Sequence, residues 1–195
     1  MQYFLFNKRW LLGLLLLGLG NNVQAHTGIS HMDLVAGLSH PLSGLDHLLA
    51  MIAVGLWATQ LGKQALWRIP LTFVLTMALG GLLGFADSPL PLVELGITGS
   101  MLILGGLIAL ALRLPLTASM ALVGIFALFH GYAHGAEMAT GSTALWYSLG
   151  FMLTTALLHG VGIGIGVMAQ HGLPVHILRL GGAAMAASGM WLLLN

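Results

Sequence analysis

Between Ser39 and Leu194 the chain is a succession of six apolar stretches separated by short polar turns. They run, with ends good to a few residues, Ser39–Gln60, Leu66–Ala86, Pro91–Leu112, Pro115–Gly135, Thr143–Ala169 and Val175–Leu194. A helix needs about 20 such residues to cross the hydrocarbon core of a bilayer, and each stretch is near that length. Only 6% of the 195 residues are charged, against roughly a quarter in soluble domains. An ordinary soluble domain is excluded. The expected fold is an all-α polytopic membrane protein of six transmembrane helices, with the lipid bilayer as its solvent.

Ahead of these stretches, Lys8-Arg9 precede an apolar run from Trp10 to Leu19 and then Asn21-Asn22-Val23-Gln24-Ala25. A basic start, a short apolar core and small residues at Val23 and Ala25 make a secretory signal peptide. Cleavage after Ala25 is expected, giving 1–25 as signal peptide and 26–195 as a single six-helix domain beginning at His26. The competing reading is an uncleaved first helix. Loss of Lys8 and Arg9 leaves 4 of the 6 basic residues against 5 acidic ones, so nothing favours nucleic acid as a partner. Zero cysteines exclude disulfides, thiolate metal sites, iron–sulfur clusters and cysteine nucleophiles.

A cleaved amino terminus lies outside, so the loops after the first, third and fifth spans face the cytoplasm. Those loops carry Lys63 and Arg68, Arg113, and Arg179, while Asp33, Asp87 and Glu137 fall on the other side. Every basic residue obeys the positive-inside rule. This reading puts both mature termini on the outer, periplasmic side. Glycine is frequent within the spans, at Gly80-Gly81, Gly105-Gly106, Gly162-x-Gly164-x-Gly166 and Gly181-Gly182. In lipid such residues let helices approach closely. A phosphate loop would need a preceding strand, and there is none.

Nine histidines stand out in a chain so poor in other ionisable groups. An ionisable residue inside a membrane is costly and is a functional candidate by default. The first span opens His40-Pro41-Leu42-Ser43-Gly44-Leu45-Asp46-His47. If Pro41 starts the helix, as proline readily does, His40 and His47 share a face with Asp46 beside them. The fourth span ends with His130, His134 and Glu137 at spacings of four and three, again on one face. Both groups lie in the periplasmic half and are expected to meet. Imidazole and carboxylate donors suit nickel, cobalt, zinc or copper(II) and are poor for copper(I).

Weaker candidates surround this site. Glu94 opens the third span near the same face, and His26, His31 and Asp33 precede the first span. His26, as a free terminus, would chelate through its amine and ring together. His159 lies deeper in the fifth span and, with His171, would mark an exit; its competing role is a hydrogen bond between helices. His171 and His176 read as loop residues near headgroups, Asp33 and Asp87 as solvated. Most of the eleven methionines read as packing residues, with Met51 and Met138 near the histidines.

The two histidine patterns resemble those of the hydrogenase/urease accessory nickel–cobalt permeases of HupE/UreJ type. That family carries His-x5-Asp-His in its first mature span, here His40, Asp46 and His47. It carries Phe-His-Gly-x-(Ala/Val)-His-Gly-x-Glu in its fourth, here Phe129 through His130, Ala133 and His134 to Glu137. The resemblance implies uptake of Ni²⁺, or of Co²⁺, as transported substrate across a bacterial inner membrane, with no permanently bound cofactor and no enzymatic activity. It leaves a homo-oligomer or an accessory metallochaperone open as partners. Imidazoles ligate when neutral, so affinity is expected to fall as pH drops through about 6.5. The same donors also admit an intramembrane zinc-dependent hydrolase, with Glu137 or Asp46 as general base, or a haem-binding electron carrier. Each half of the chain opens with a histidine-bearing span, a faint sign of inverted internal repetition.

Overall fold

A computed structural model describes residues 29–138, 143–172 and 174–194. The expected signal peptide and His26 lie outside the described residues. Among those described, seven α-helices and no strand occur: α1 Ile29–Ser43, α2 Leu45–Leu61, α3 Ala65–Phe85, α4 Val93–Ala109, α5 Leu116–Ala136, α6 Ala144–Gln170 and α7 Val175–Leu194. Four of them, α3, α5, α6 and the 19 residues His176–Leu194 of α7, are long and apolar enough to cross a membrane. The helices α1 and α2 pass that test together as one span bent by 83°, and α4 is a shorter apolar helix of 17 residues. The protein is a multi-pass membrane protein.

Its large side chains are distributed as lipid demands. On α6, Leu149, Leu153, Leu157 and Val161 are exposed at four-residue spacing. On the opposite face, Tyr147, Phe151, Thr155 and His159 are buried at the same spacing. On α3, Ile69, Phe73 and Met77 form a third row, also buried. The polar side chains thus face the bundle interior and the leucines face out, the reverse of a water-soluble helix.

The bend between α1 and α2 corrects the expectation that Pro41 starts a helix. Pro41 lies inside α1, and the chain breaks at Gly44, whose backbone is extended (φ −101°, ψ 121°). His40 and His47 therefore sit on two helices, one before and one after the break, and do not share a face. A β-carbon at Gly44 would lie 2.7 Å from Asp46 Oδ1, so glycine leaves room there for the carboxylate.

Helix pairing follows the glycines. Gly162 of α6 packs on the Ile52 carbonyl of α2, and Gly55 of α2 on the His159 carbonyl of α6, with the two helices running in the same direction. Gly80 and Gly84 of α3 meet Leu128 and Tyr132 of α5, again in parallel, while Gly105 of α4 meets Gly182 and Ala186 of antiparallel α7. Of each adjacent glycine pair in α4 and α7 only one touches a neighbour: Gly106 and Gly181 have nothing within 4 Å, and neither has Gly164 of the Gly162-x-Gly164-x-Gly166 run. Packing thus accounts for Gly162 and Gly166 but not for Gly164. Exchanging α1–α4 with α5–α7, with α1 and α2 counted together, maps the α2–α6 pair onto α5–α3 and the α4–α7 pair onto itself. That is the pairing an inverted repeat produces.

The two ends of the bundle differ in charge. Where α2, α4 and α6 finish, Trp57 Nε1 donates to Leu112 O at 3.1 Å and Arg179 Nε to Ala109 O at 2.7 Å. This end holds Lys63, Arg68, Arg113 and Arg179. At the opposite end Asp33 accepts the backbone N–H of Thr143, the residue before α6, at 2.6 Å. Asp33 is only 7% exposed, so the expectation of a solvated carboxylate is corrected. It instead ties α1 to the start of α6 in the manner of a helix cap.

Candidate metal site

At the acidic end the last turn of α5 faces the break between α1 and α2. His40 Nε2 lies 3.0 Å from Glu137 Oε2, so a ring N–H donates to the carboxylate across two helices. The His134 ring stands 4.7 Å from that of His40 and 4.3 Å from that of His47, and the His47 ring is 4.9 Å from that of His130. Four imidazoles form one continuous row. Its ends differ in exposure, with 60% for the Glu137 side chain and 31% for that of His40 against 0% for His130. The row runs from a wet mouth to a dry interior.

The hydrogen bonds fix which nitrogens are free. A backbone carbonyl only accepts, so His130 Nδ1, 2.9 Å from Phe126 O, must carry the proton. Its Nε2 is left as a lone pair, buried and without a partner among the described residues. His47 Nδ1 faces Asp46 Oδ1 at 3.1 Å, which likewise leaves its buried Nε2 free. In His134 neither ring nitrogen has a partner among the described residues. A carboxylate or carbonyl on one imidazole nitrogen, with the other free, is the usual outer support of a histidine metal ligand. An unmatched buried polar group costs about 1–3 kcal/mol. Concentrating several of them in one place makes no sense as packing.

Nearer the mouth, His40, His134 and Glu137 each offer one ligand atom, all within 4.8 Å of one another. Two ligands on opposite sides of a metal at about 2.1 Å are about 4.2 Å apart. Only one pair of three can stand opposite, so the three atoms must draw closer together to hold one ion. A cavity of about 160 Å³ opens beside His134, lined also by Met77, Met138, Tyr147 and Phe151. Met138 is therefore placed beside the histidines, as expected. Met51, fully buried, belongs to the hydrophobic core.

The remaining candidates stand apart. Glu94 is exposed in the first turn of α4, and no hydrogen bond or ion pair joins its carboxylate to the cluster. His159 is buried in α6, separated from His130 by the ring of Phe73. His171 and His176 are exposed at the basic end, His171 Nδ1 bonding to Val167 O at 2.9 Å. Sequence reasoning missed Tyr147, whose ring lies 5.9 Å from His40 and whose hydroxyl is buried without a partner, and Phe151, 4.0 Å from the His134 ring. The spacing of Tyr147, Phe151, Thr155 and His159 was the available signal.

If this row holds a metal, Asp46 would position His47 for it through the contact between Oδ1 and Nδ1. Asp46→Ala removes the acceptor that holds His47 Nδ1–H, letting the ring turn and change tautomer. Ni²⁺ affinity of the purified chain is expected to fall about 10- to 100-fold, the usual cost of such a loss. Asp46→Asn, which keeps an acceptor oxygen, is expected to fall between Ala and the intact chain. Equal isotherms for all three would contradict the role.

Comparison with known proteins agrees with the geometry. The profile of the family described as HupE / UreJ protein matches residues 14–192. The chain is 42% identical over 179 residues to Protein HupE of Rhizobium leguminosarum bv. viciae, covering 92% of this chain and 94% of that protein. No solved structure matches it significantly. With the match running through all seven helices and both histidine patterns, this chain belongs to the HupE/UreJ family.

Proposed function

We propose that this protein is a permease that carries Ni²⁺, with Co²⁺ as the second substrate, inward across a bacterial inner membrane to supply a hydrogenase or urease. The observation that carries the reading is the row of imidazoles from α1, α2 and α5, in which the buried Nε2 of His47 and His130 and both buried nitrogens of His134 are free among the described residues. The relative named HupE and the family's hydrogenase/urease association support it. In this reading the acidic end faces the periplasm and the basic end the cytoplasm, as the positive-inside rule requires.

A hydrated cation first meets Glu137 and His40 at the exposed mouth. It exchanges water for imidazole nitrogen at His134, then at His47 and His130. Each ligand on the way is oriented by a fixed acceptor or lies within a ring contact of the next. No nucleotide-binding pattern appears in the sequence, so the driving force is the membrane gradient. A divalent ion crossing the full potential gains about 4.6 kcal/mol per 100 mV, twice the single-charge value. That alone sustains roughly thousandfold accumulation, so uniport is sufficient.

The test is Ni²⁺ uptake into metal-starved cells expressing the intact chain or His47→Ala at matched membrane abundance, with Co²⁺ and Zn²⁺ as competitors. Uptake that depends on His47 and the membrane potential, and is competed mainly by Co²⁺, is the expected result. No uptake by the intact chain, together with stoichiometric zinc in the purified protein, would replace the carrier by a zinc hydrolase.

A further inference from the structure

The line of buried histidines does not end at His130. His159, the sixteenth residue of α6, is 1% exposed, and neither of its ring nitrogens has a hydrogen-bond partner among the described residues. It lies about 18 Å along the helix axis from Tyr147 at the mouth. No acceptor orients it, and none of the four cluster rings touches it. Between it and the cluster stands Phe73. That fully buried ring is 5.8 Å from the centroid of His130 and 5.0 Å from that of His159, which it meets edge-on at 82°.

The surroundings carry soft and hard donors together. One turn along α6 from His159 is Thr155, and one turn along α3 from Phe73 is Met77; the Thr155 hydroxyl donates to the Met77 sulfur at 3.7 Å. The two rows therefore face each other, α3 presenting Phe73 and Met77, α6 presenting His159 and Thr155. An imidazole kept in a dry interior with both nitrogens unmatched is among the costlier ways to fill a helix interface. A leucine would fill similar space without that penalty. Pro70 lies within α3 one turn before Phe73 and lacks the N–H that would bond back along the helix, a local weak point in the element that carries the ring.

We propose that His159 is a second, deeper station for the same divalent cation and that Phe73 is the apolar barrier between the two stations. The cation leaves His130 for His159 only when the Phe73 ring swings aside; otherwise an uninterrupted apolar layer separates the outer cluster from the lower half of the bundle. While the ring moves, its face offers the cation a weak electrostatic foothold. The proposal rests on the carrier reading above. It adds that capture and passage are carried by different residues.

The experiment uses the purified full chain in proteoliposomes under an inside-negative potential, with Ni²⁺ alone as the probe. Initial rates against Ni²⁺ concentration and equilibrium Ni²⁺ binding are read together. His159→Gln and His159→Leu are both expected to lower the maximal rate about tenfold, equivalent to roughly 1.4 kcal/mol on the barrier. The half-saturating concentration and the binding isotherm should stay within about twofold, because the outer cluster sets capture. The leucine variant separates this role from packing, since a purely structural histidine would be replaced by leucine without loss of rate. Phe73→Ala is expected to pass Ni²⁺ several-fold faster without a potential, and Phe73→Trp to slow it.

Intact rates in both His159 variants, with uptake still lost in His47→Ala, would overturn the second station and leave the carrier standing. Unchanged rates in both Phe73 variants would overturn the barrier. No Ni²⁺ uptake and no binding by the intact chain would overturn the carrier reading and this proposal with it.

Discussion

Alanine at position 134 is expected to abolish Ni²⁺ capture while leaving the fold intact. His134 is the ring that touches both His40 at 4.7 Å and His47 at 4.3 Å, so it joins the mouth to the interior. Both of its nitrogens are buried and unmatched. Removing the imidazole has two opposed effects on stability. It enlarges the cavity already present beside it, and it removes two polar atoms that have no partner. Those effects largely offset, so the thermal midpoint should shift little. Binding has no such compensation. Loss of a ligand should exceed the loss of an orienting group, so at least about 100-fold in affinity is expected, roughly 2.7 kcal/mol. His171→Ala is the control, because His171 is exposed at the other end and bonds only its own helix. A calorimetric isotherm and a thermal melt of each variant check the pair; equal affinity in the His134 variant would remove the site as drawn.

A second large effect concerns a residue with no side chain. A β-carbon at Gly131 would collide with the Met77 carbonyl and lie 2.7 Å from its carbon and 2.9 Å from Gly81 N. These atoms are backbone of α3, and no rotamer change relieves them. Gly131→Val must therefore push α3 away from α5, and Gly131 lies between His130 and His134, so the metal row is pulled apart as well. The cost should reach or pass about 3 kcal/mol, the upper part of the range for overpacked interiors. Loss of the protein from the membrane, or a melt too low to measure, is expected. Gly164→Ala is the same kind of change where nothing lies within 4 Å. There alanine should be neutral or stabilising by about 0.5–1 kcal/mol, its advantage in any helix interior. A Gly131 variant that melts with the intact protein would show that the close approach is not needed.

Much of the architecture was legible because bilayer thickness sets the length of every apolar run. The α5 half of the site was equally plain, since His130 and His134 share one uninterrupted helix that Glu137 caps, and spacing alone aligns them. The α1–α2 half was misread in detail. His40 and His47 do converge on His134, but across an 83° bend, and the helical arithmetic that aligned them does not apply. Proline followed three residues later by glycine looked like a helix start, because nothing local announces that the residues before Pro41 are already helical. Asp33 was opaque for another reason: its partner is the Thr143 backbone N–H, 110 positions away. Phe73 carries no ionisable group, and a search for charged or ligating side chains passes over it. Among twenty-eight glycines, those that pack could not be told from those that face lipid until the neighbouring helices were in place.

The hydrogen bond between His40 and Glu137 spans 97 positions of the chain. At about 5–20 residues per second on the ribosome, the first imidazoles are made some five to twenty seconds before the residues that complete the mouth. The tie from Asp33 to Thr143 comes later still, when α6 begins to emerge. A nascent chain halted after its third span therefore holds His40, Asp46 and His47 but none of the groups that converge on them. On the carrier reading, the capacity to bind metal would arise late in biosynthesis, when a nearly finished molecule is already seated in its bilayer.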